Sequence, residues 1–122
     1  MAKVERFEEL RVWQEARVQA NALYDETERL KDYAFRDQLR RAAISVMNNV
    51  AEGFERRTDA DFAHFLDVAK GSNGEVRSMC YLGEDRHYLT AERSAQLRRD
   101  AEVLSGGIAT LAGYLRQGPR DL

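Results

Sequence analysis

Apolar and small residues recur along most of the chain in steps of three and four, the spacing that gathers side chains on one stripe of an α-helix. Leu10, Trp13, Ala16, Ala20, Leu23, Thr27 and Leu30 form the first stripe and predict a helix over about 8–30. Lys31-Asp32-Tyr33-Ala34 interrupts it and reads as a short connection of the length that joins antiparallel neighbours in a bundle. A second helix over about 35–56 carries Leu39, Ala42, Ala43, Val46, Val50 and Phe54 on its inner stripe. Gly53 lies near a natural stop, while Arg56-Arg57 would allow one more turn.

Thr58 precedes Asp61 by three residues, which offers a capping side chain and places carboxylates where a helix N-terminus favours them. The third helix, over about 59–87, then carries Phe62, Phe65, Leu66, Ala69, Val76, Met79, Cys80 and Leu82. Its middle, Gly71-Ser72-Asn73-Gly74, weakens helix at each glycine and would permit a turn and five helices. A continuous helix is the preferred reading, because Ala69, Asn73, Val76, Cys80 and Gly83 keep one stripe in phase across the weak segment. Thr90 caps a fourth helix over about 90–117, whose stripe of Leu97, Ala101, Leu104, Ile108, Leu111 and Leu115 runs without a fault to a stop at Gly118-Pro119. The pattern predicts an all-α protein, an antiparallel up-down four-helix bundle forming a single domain over 1–122.

Composition sharpens this picture without altering it. With one proline in 122 residues, and with charged residues at 33% beside hydrophobic ones at 43%, helix is favoured and disorder disfavoured. The absence of an apolar run long enough to span a bilayer, and of an apolar core at the N-terminus, gives a cytoplasmic expectation with no membrane partner. Cys80 is the sole cysteine, so no intrachain disulfide can form, and it reads as a small buried hydrophobe. The net charge of −2 argues against a charge-driven nucleic-acid coat. Residues 31–58 hold six basic and four acidic side chains, and residues 59–89 three and six, a polarity suited to pairing between helices or subunits.

Candidate chemistry is sparse. Glu84-x-x-His87 and Asp61-x-x-His64 each put a carboxylate and an imidazole on one helical face, as di-iron bundles do, but both lie on the third helix, too far apart to share a metal pair. No nucleophile elbow, phosphate loop or Cys/His pair appears, so no enzyme activity, metal or cofactor is expected. Three arginine doublets, Arg40-Arg41, Arg56-Arg57 and Arg98-Arg99, could contact phosphate, though solvated helix surface explains them more simply. On the second helix Arg41, Ser45, Asn48, Asn49 and Glu52 follow helical steps beside the apolar stripe. Polar groups that close to a core need partners, and Glu75 and Arg77 of the third helix are the candidates.

Taken together, Phe7-Glu-Glu-Leu-Arg-Val-Trp13-Gln-Glu-Ala16, Gln38-Leu-Arg-Arg-Ala-Ala-Ile-Ser45, Asn49-Val-Ala-Glu-Gly-Phe54 and Phe62-Ala-His-Phe-Leu66 leading to Gly71-Ser72 and Glu75 carry a resemblance. The chain resembles the bacterial four-helix bundle proteins named after open reading frames in 23S rRNA intervening sequences, over about residues 7–115. The resemblance implies a continuous third helix, no enzymatic activity and a ring-shaped homo-oligomer, typically a pentamer. It extends to accessory proteins of diversity-generating retroelements, which are basic and bind nucleic acid. The acidic balance here makes nucleic acid a weak partner at most. Met47 stands where the family usually has proline. Phe7, Trp13 and Tyr24 exceed what a narrow first-helix stripe can bury, which also points to self-association.

Overall fold

The computed structural model describes residues 3–117. A single 3₁₀ turn, Phe7–Glu9, leads into four helices: α1 (Arg11–Glu26), α2 (Tyr33–Phe54), α3 (Asp59–Asp85) and α4 (Ala91–Arg116). They run antiparallel and pack in a square, each helix against its two chain neighbours and α4 back against α1, the least extensive of the four contacts. No described helix is long and apolar enough to cross a membrane.

Each boundary has a local cause, and several depart from the periodicity. Helix α1 starts at Arg11 rather than Glu8, because Leu10 adopts an extended backbone that buries its side chain while the 3₁₀ turn brings Phe7 back against Trp13, ring centroids 5.1 Å apart. Two of the three aromatic residues expected to seek a second subunit therefore satisfy each other. The helix ends at Glu26 rather than Leu30: at Thr27 the backbone leaves helical geometry (φ −108°, ψ 7°), with the Thr27 hydroxyl still donating back to the Leu23 carbonyl at 2.7 Å. Helix α2 begins two residues early because Asp32 caps it, accepting from the Phe35 amide at 3.1 Å. Its end falls at Phe54 without the extra turn through Arg56-Arg57.

Helix α3 runs unbroken through Gly71–Gly74 and stops at Asp85, where His87 takes a positive φ of 63° and the Tyr88 and Leu89 amides both donate to the Gly83 carbonyl. Tyr88 then reaches across to the other connection. Its hydroxyl donates to Asp32 at 2.7 Å, and that bond together with the Phe35 amide holds the Asp32 carboxyl below its ordinary range. Thr58 and Thr90 cap α3 and α4, accepting from Asp61 and Arg93 at 3.1 Å each. The expected stop at Gly118-Pro119 lies outside the described residues.

The core divides into two apolar halves. Near the α2–α3 connection Ala16, Val46, Val50, Phe62, Leu66, Leu104 and Ile108 pack together. Near the other end Leu23, Phe35, Leu39, Ala43, Val76, Cys80 and Leu97 do the same, with Met47 touching both. Burial pushes the Cys80 thiol up to about 11, so it stays protonated and inert at neutral pH.

Candidate functional site

Between the two apolar halves lies a polar layer to which all four helices contribute. Asn73 of α3, fully buried, is its centre: it accepts from Gln19 Nε2 of α1 at 3.0 Å and donates to the Ala101 carbonyl and the Ser105 hydroxyl of α4 at 2.7 and 2.8 Å. One residue away, Ser72 Oγ pairs with Ser45 Oγ of α2 at 2.7 Å, and Asn49 donates to the Ser45 carbonyl and hydroxyl at 2.8 and 3.0 Å. Buried polar groups gain only when they are satisfied, and no fully buried side-chain nitrogen or oxygen of this layer is left unpaired.

The polar row read from the sequence is thus split. Ser45 and Asn49 are half-buried parts of the layer, whereas Arg41, Glu52 and Glu75 are exposed and form no ion pair with a described residue. Glu52 does not sit among buried partners; its side chain is exposed. Arg77 turns to the other side, 3.5 Å from Glu102 of α4, with its Nε buried and unpaired. Gln19 and Ser105 were missed. Gln19 stands three residues after Ala16 and four before Leu23, a spacing that admits it to the first stripe.

The arginine doublets split as well, since successive helical residues point about 100° apart. Arg40 is held by Thr27 Oγ1 at 3.0 Å and the Tyr24 carbonyl at 3.2 Å, with its guanidinium 4.2 Å from the Tyr24 ring centre. Arg98 likewise lies 4.1 Å over the Tyr81 ring and bonds its hydroxyl at 3.0 Å. Arg56 stacks 4.9 Å from Phe65 in the α2–α3 connection. Arg41, Arg56, Arg57 and Arg99 are exposed, and Arg41 stands roughly 20 Å along the axis from the α2 end at Phe54, beyond which Arg56 and Arg57 lie. No single anion-binding patch results. Arg40→Ala should therefore cost about 1–2 kcal/mol, whereas Arg41→Ala in the separated subunit should change stability by less than about 0.5 kcal/mol. Urea denaturation of both variants checks the difference.

The weak α1–α4 contact leaves an open groove of about 440 Å³, lined by Gln14, Val18, Gln19, Ala22, Leu97 and Val103 among others. Val18 and Val103 are 69% and 64% exposed on its walls. On the α2 and α3 side Ile44, Val68 and Leu82 are also exposed. Among the described residues no group of three or more His, Cys, Asp or Glu could hold a metal ion, and His64 and His87 lie near opposite ends of the α3 segment.

Residues 8–110 match the model of the 23S rRNA-intervening sequence protein family. The chain belongs to that family. The match includes both halves of the polar layer and every helix, so the Gln19–Asn73 and Ser45–Ser72 bonds join segments of this family's fold. A solved structure, the crystal structure of a protein with unknown function from the S23 ribosomal protein family from Bacteroides thetaiotaomicron, superposes with a TM-score of 0.77 at 19% identity. It covers 83% of this chain and 97% of its own, and at that identity it establishes the shared fold alone. No curated protein matches the chain.

Proposed function

We propose that this family member is a non-enzymatic, self-associating module that closes into a homo-oligomeric ring, five-fold as the family resemblance implies, in a reducing cytoplasm. The observation that carries the reading is apolar exposure on unlike parts of the bundle, Val18 and Val103 together at the α1–α4 groove and, elsewhere, Ile44 on α2 and Val68 and Leu82 on α3. A ring contact is heterologous and needs two different patches on each subunit, whereas a two-fold dimer needs one. Val18 and Val103, largely exposed on one groove of a chain with an otherwise complete core, also favour covering by a partner. The layer of Ser45, Asn49, Gln19 and Asn73 acts inside the subunit and holds those patches in fixed relation. Light scattering on the purified chain at micromolar concentration should give a single species of several subunits. A monodisperse monomer would sink the reading.

The second reading is contact with nucleic acid, favoured by the exposed doublet arginines Arg41, Arg56, Arg57 and Arg99, which a ring would repeat around its circumference. Asp37, Glu55 and Asp100 stand within four residues of them in the sequence, so the field is diluted. Binding to mixed RNA or DNA at physiological salt is expected to be weaker than about 1 μM. Tighter binding in an electrophoretic shift, abolished by Arg57→Ala, would put this reading first.

A further inference from the structure

We infer that the α1–α4 groove is the seat for helix α2 of the next copy, with that copy's Arg41 set against Asp100 and Gln19. This rests on the self-association proposed above and names the surfaces that meet.

The groove specifies the chemistry of its occupant. Its walls are apolar, through Val18, Ala22, Leu97 and Val103, so the occupant brings apolar side chains. Gln19 is 8% exposed and spends its amide nitrogen on Asn73, yet its Oε1 accepts from no described residue and is not sealed inside. It lines the groove and offers an acceptor there. Asp100 stands on the rim with no ion pair to a described residue, while the neighbouring carboxylates Glu15 and Glu26 are held by Arg11 and Arg93. A spare carboxylate and a spare amide oxygen over an apolar floor call for a cation with an apolar side chain beside it.

Helix α2 presents that combination. Arg41, Ile44 and Asn48 follow steps of three and four on its exposed face, and Arg41 has no partner within the chain. The segment spans roughly 10 Å, against roughly 12 Å from Gln14 to Ala22 along the groove wall, at 1.5 Å per residue. A guanidinium can donate to the carboxylate and the amide oxygen together, which an ammonium does less well. The exposed face of α2 is turned away from its own subunit's groove, since α2 packs on α1 and α3 and not on α4. The contact therefore joins two copies, and it is head-to-tail, the type that closes rings.

The test is a charge exchange in the full chain, read as the subunit dissociation constant by sedimentation, with far-UV circular dichroism confirming that each variant keeps its helices. Both Arg41→Glu and Asp100→Arg should weaken assembly at least about ten-fold, and the double variant should return to within about three-fold of the parent. Val18→Asp should dissociate the ring without rescue by Arg41→Glu. Single exchanges that leave assembly intact, or a double variant weaker than either single one, overturn this pairing while leaving self-association standing. A parent chain that is monomeric throughout defeats both.

Discussion

Asn73→Ala will lower stability by about 3 kcal/mol, or roughly 12 °C in melting temperature for a chain of this size. The loss has three sources that add because they fall at one point. Gln19 Nε2, given to Asn73 at 3.0 Å inside the core, is left without an acceptor, which costs about 1–3 kcal/mol. The Ser105 hydroxyl and Ala101 carbonyl lose a donor 2.8 and 2.7 Å away. The space vacated lies between four helices, and none can close on it without disturbing the apolar half on either side. Gln19→Leu combined with Asn73→Leu should recover the part of the deficit owed to Gln19, since replacing both partners by apolar groups removes that unmet demand along with the bond, while Ser105 Oγ stays without its donor. Chemical denaturation at one fixed protein concentration, needed because assembly shifts apparent stability, measures both variants. A loss below about 1 kcal/mol for Asn73→Ala would show that the layer is not a closed network.

That double variant also separates stability from specificity. An apolar interior alone would let α1 slide by a turn against α3 and α4, because Ala, Leu and Val stripes are much alike at each level. The Gln19–Asn73 and Ser45–Ser72 bonds can form in one register only. Since the exposed patches on α1, α4 and α2 are displayed by those same helices, the register inside the subunit decides whether the patches can meet their counterparts in a neighbour.

How far this was legible in the sequence follows from what periodicity encodes. The stripes place the core well: Ala69, Asn73, Val76, Cys80 and Gly83 are all buried, and phase was enough to carry α3 through its weak middle. Phase also marked Ser45 and Asn49 as lying close to the core. It does not encode which neighbour a side chain meets. Arg41, Glu52 and Glu75 share a helical sector with residues that are bonded, yet are exposed, and Arg77 crosses to α4 instead of α2. Helix ends were misplaced where a tertiary or capping contact decides them, as with the Leu10 break, the Thr27 hydroxyl and the Asp32 cap. The groove could not have been read at all, because it arises from how loosely α1 lies on α4, a property of neither helix alone.

The glycines give the second large effect, and it differs in sign between positions that look alike in the sequence. Gly53→Ala will cost about 2 kcal/mol, while Gly71→Ala and Gly74→Ala will each add up to about 1 kcal/mol in the separated subunit. A Cβ on Gly53 would stand 2.8 Å from Phe65 Cβ, 3.0 Å from Phe62 Cδ1 and 3.3 Å from the Phe62 carbonyl. Two of those three atoms are fixed to the α3 backbone, so a rotamer change cannot make room and the helices must part. Parting them disturbs the edge-on packing of Phe54 on Phe62, 5.9 Å between centroids, and the apolar half that Phe62 closes. Gly53 is therefore no helix stop; it lies inside α2 because only a hydrogen fits there. At Gly71 and Gly74 an added Cβ meets nothing within 4 Å, so alanine there loses only the backbone freedom that glycine brings to the unfolded chain. Denaturation midpoints for the three variants decide the matter. A neutral Gly53→Ala would mean that α2 and α3 are not held at the separation the Gly53–Phe65 contact implies.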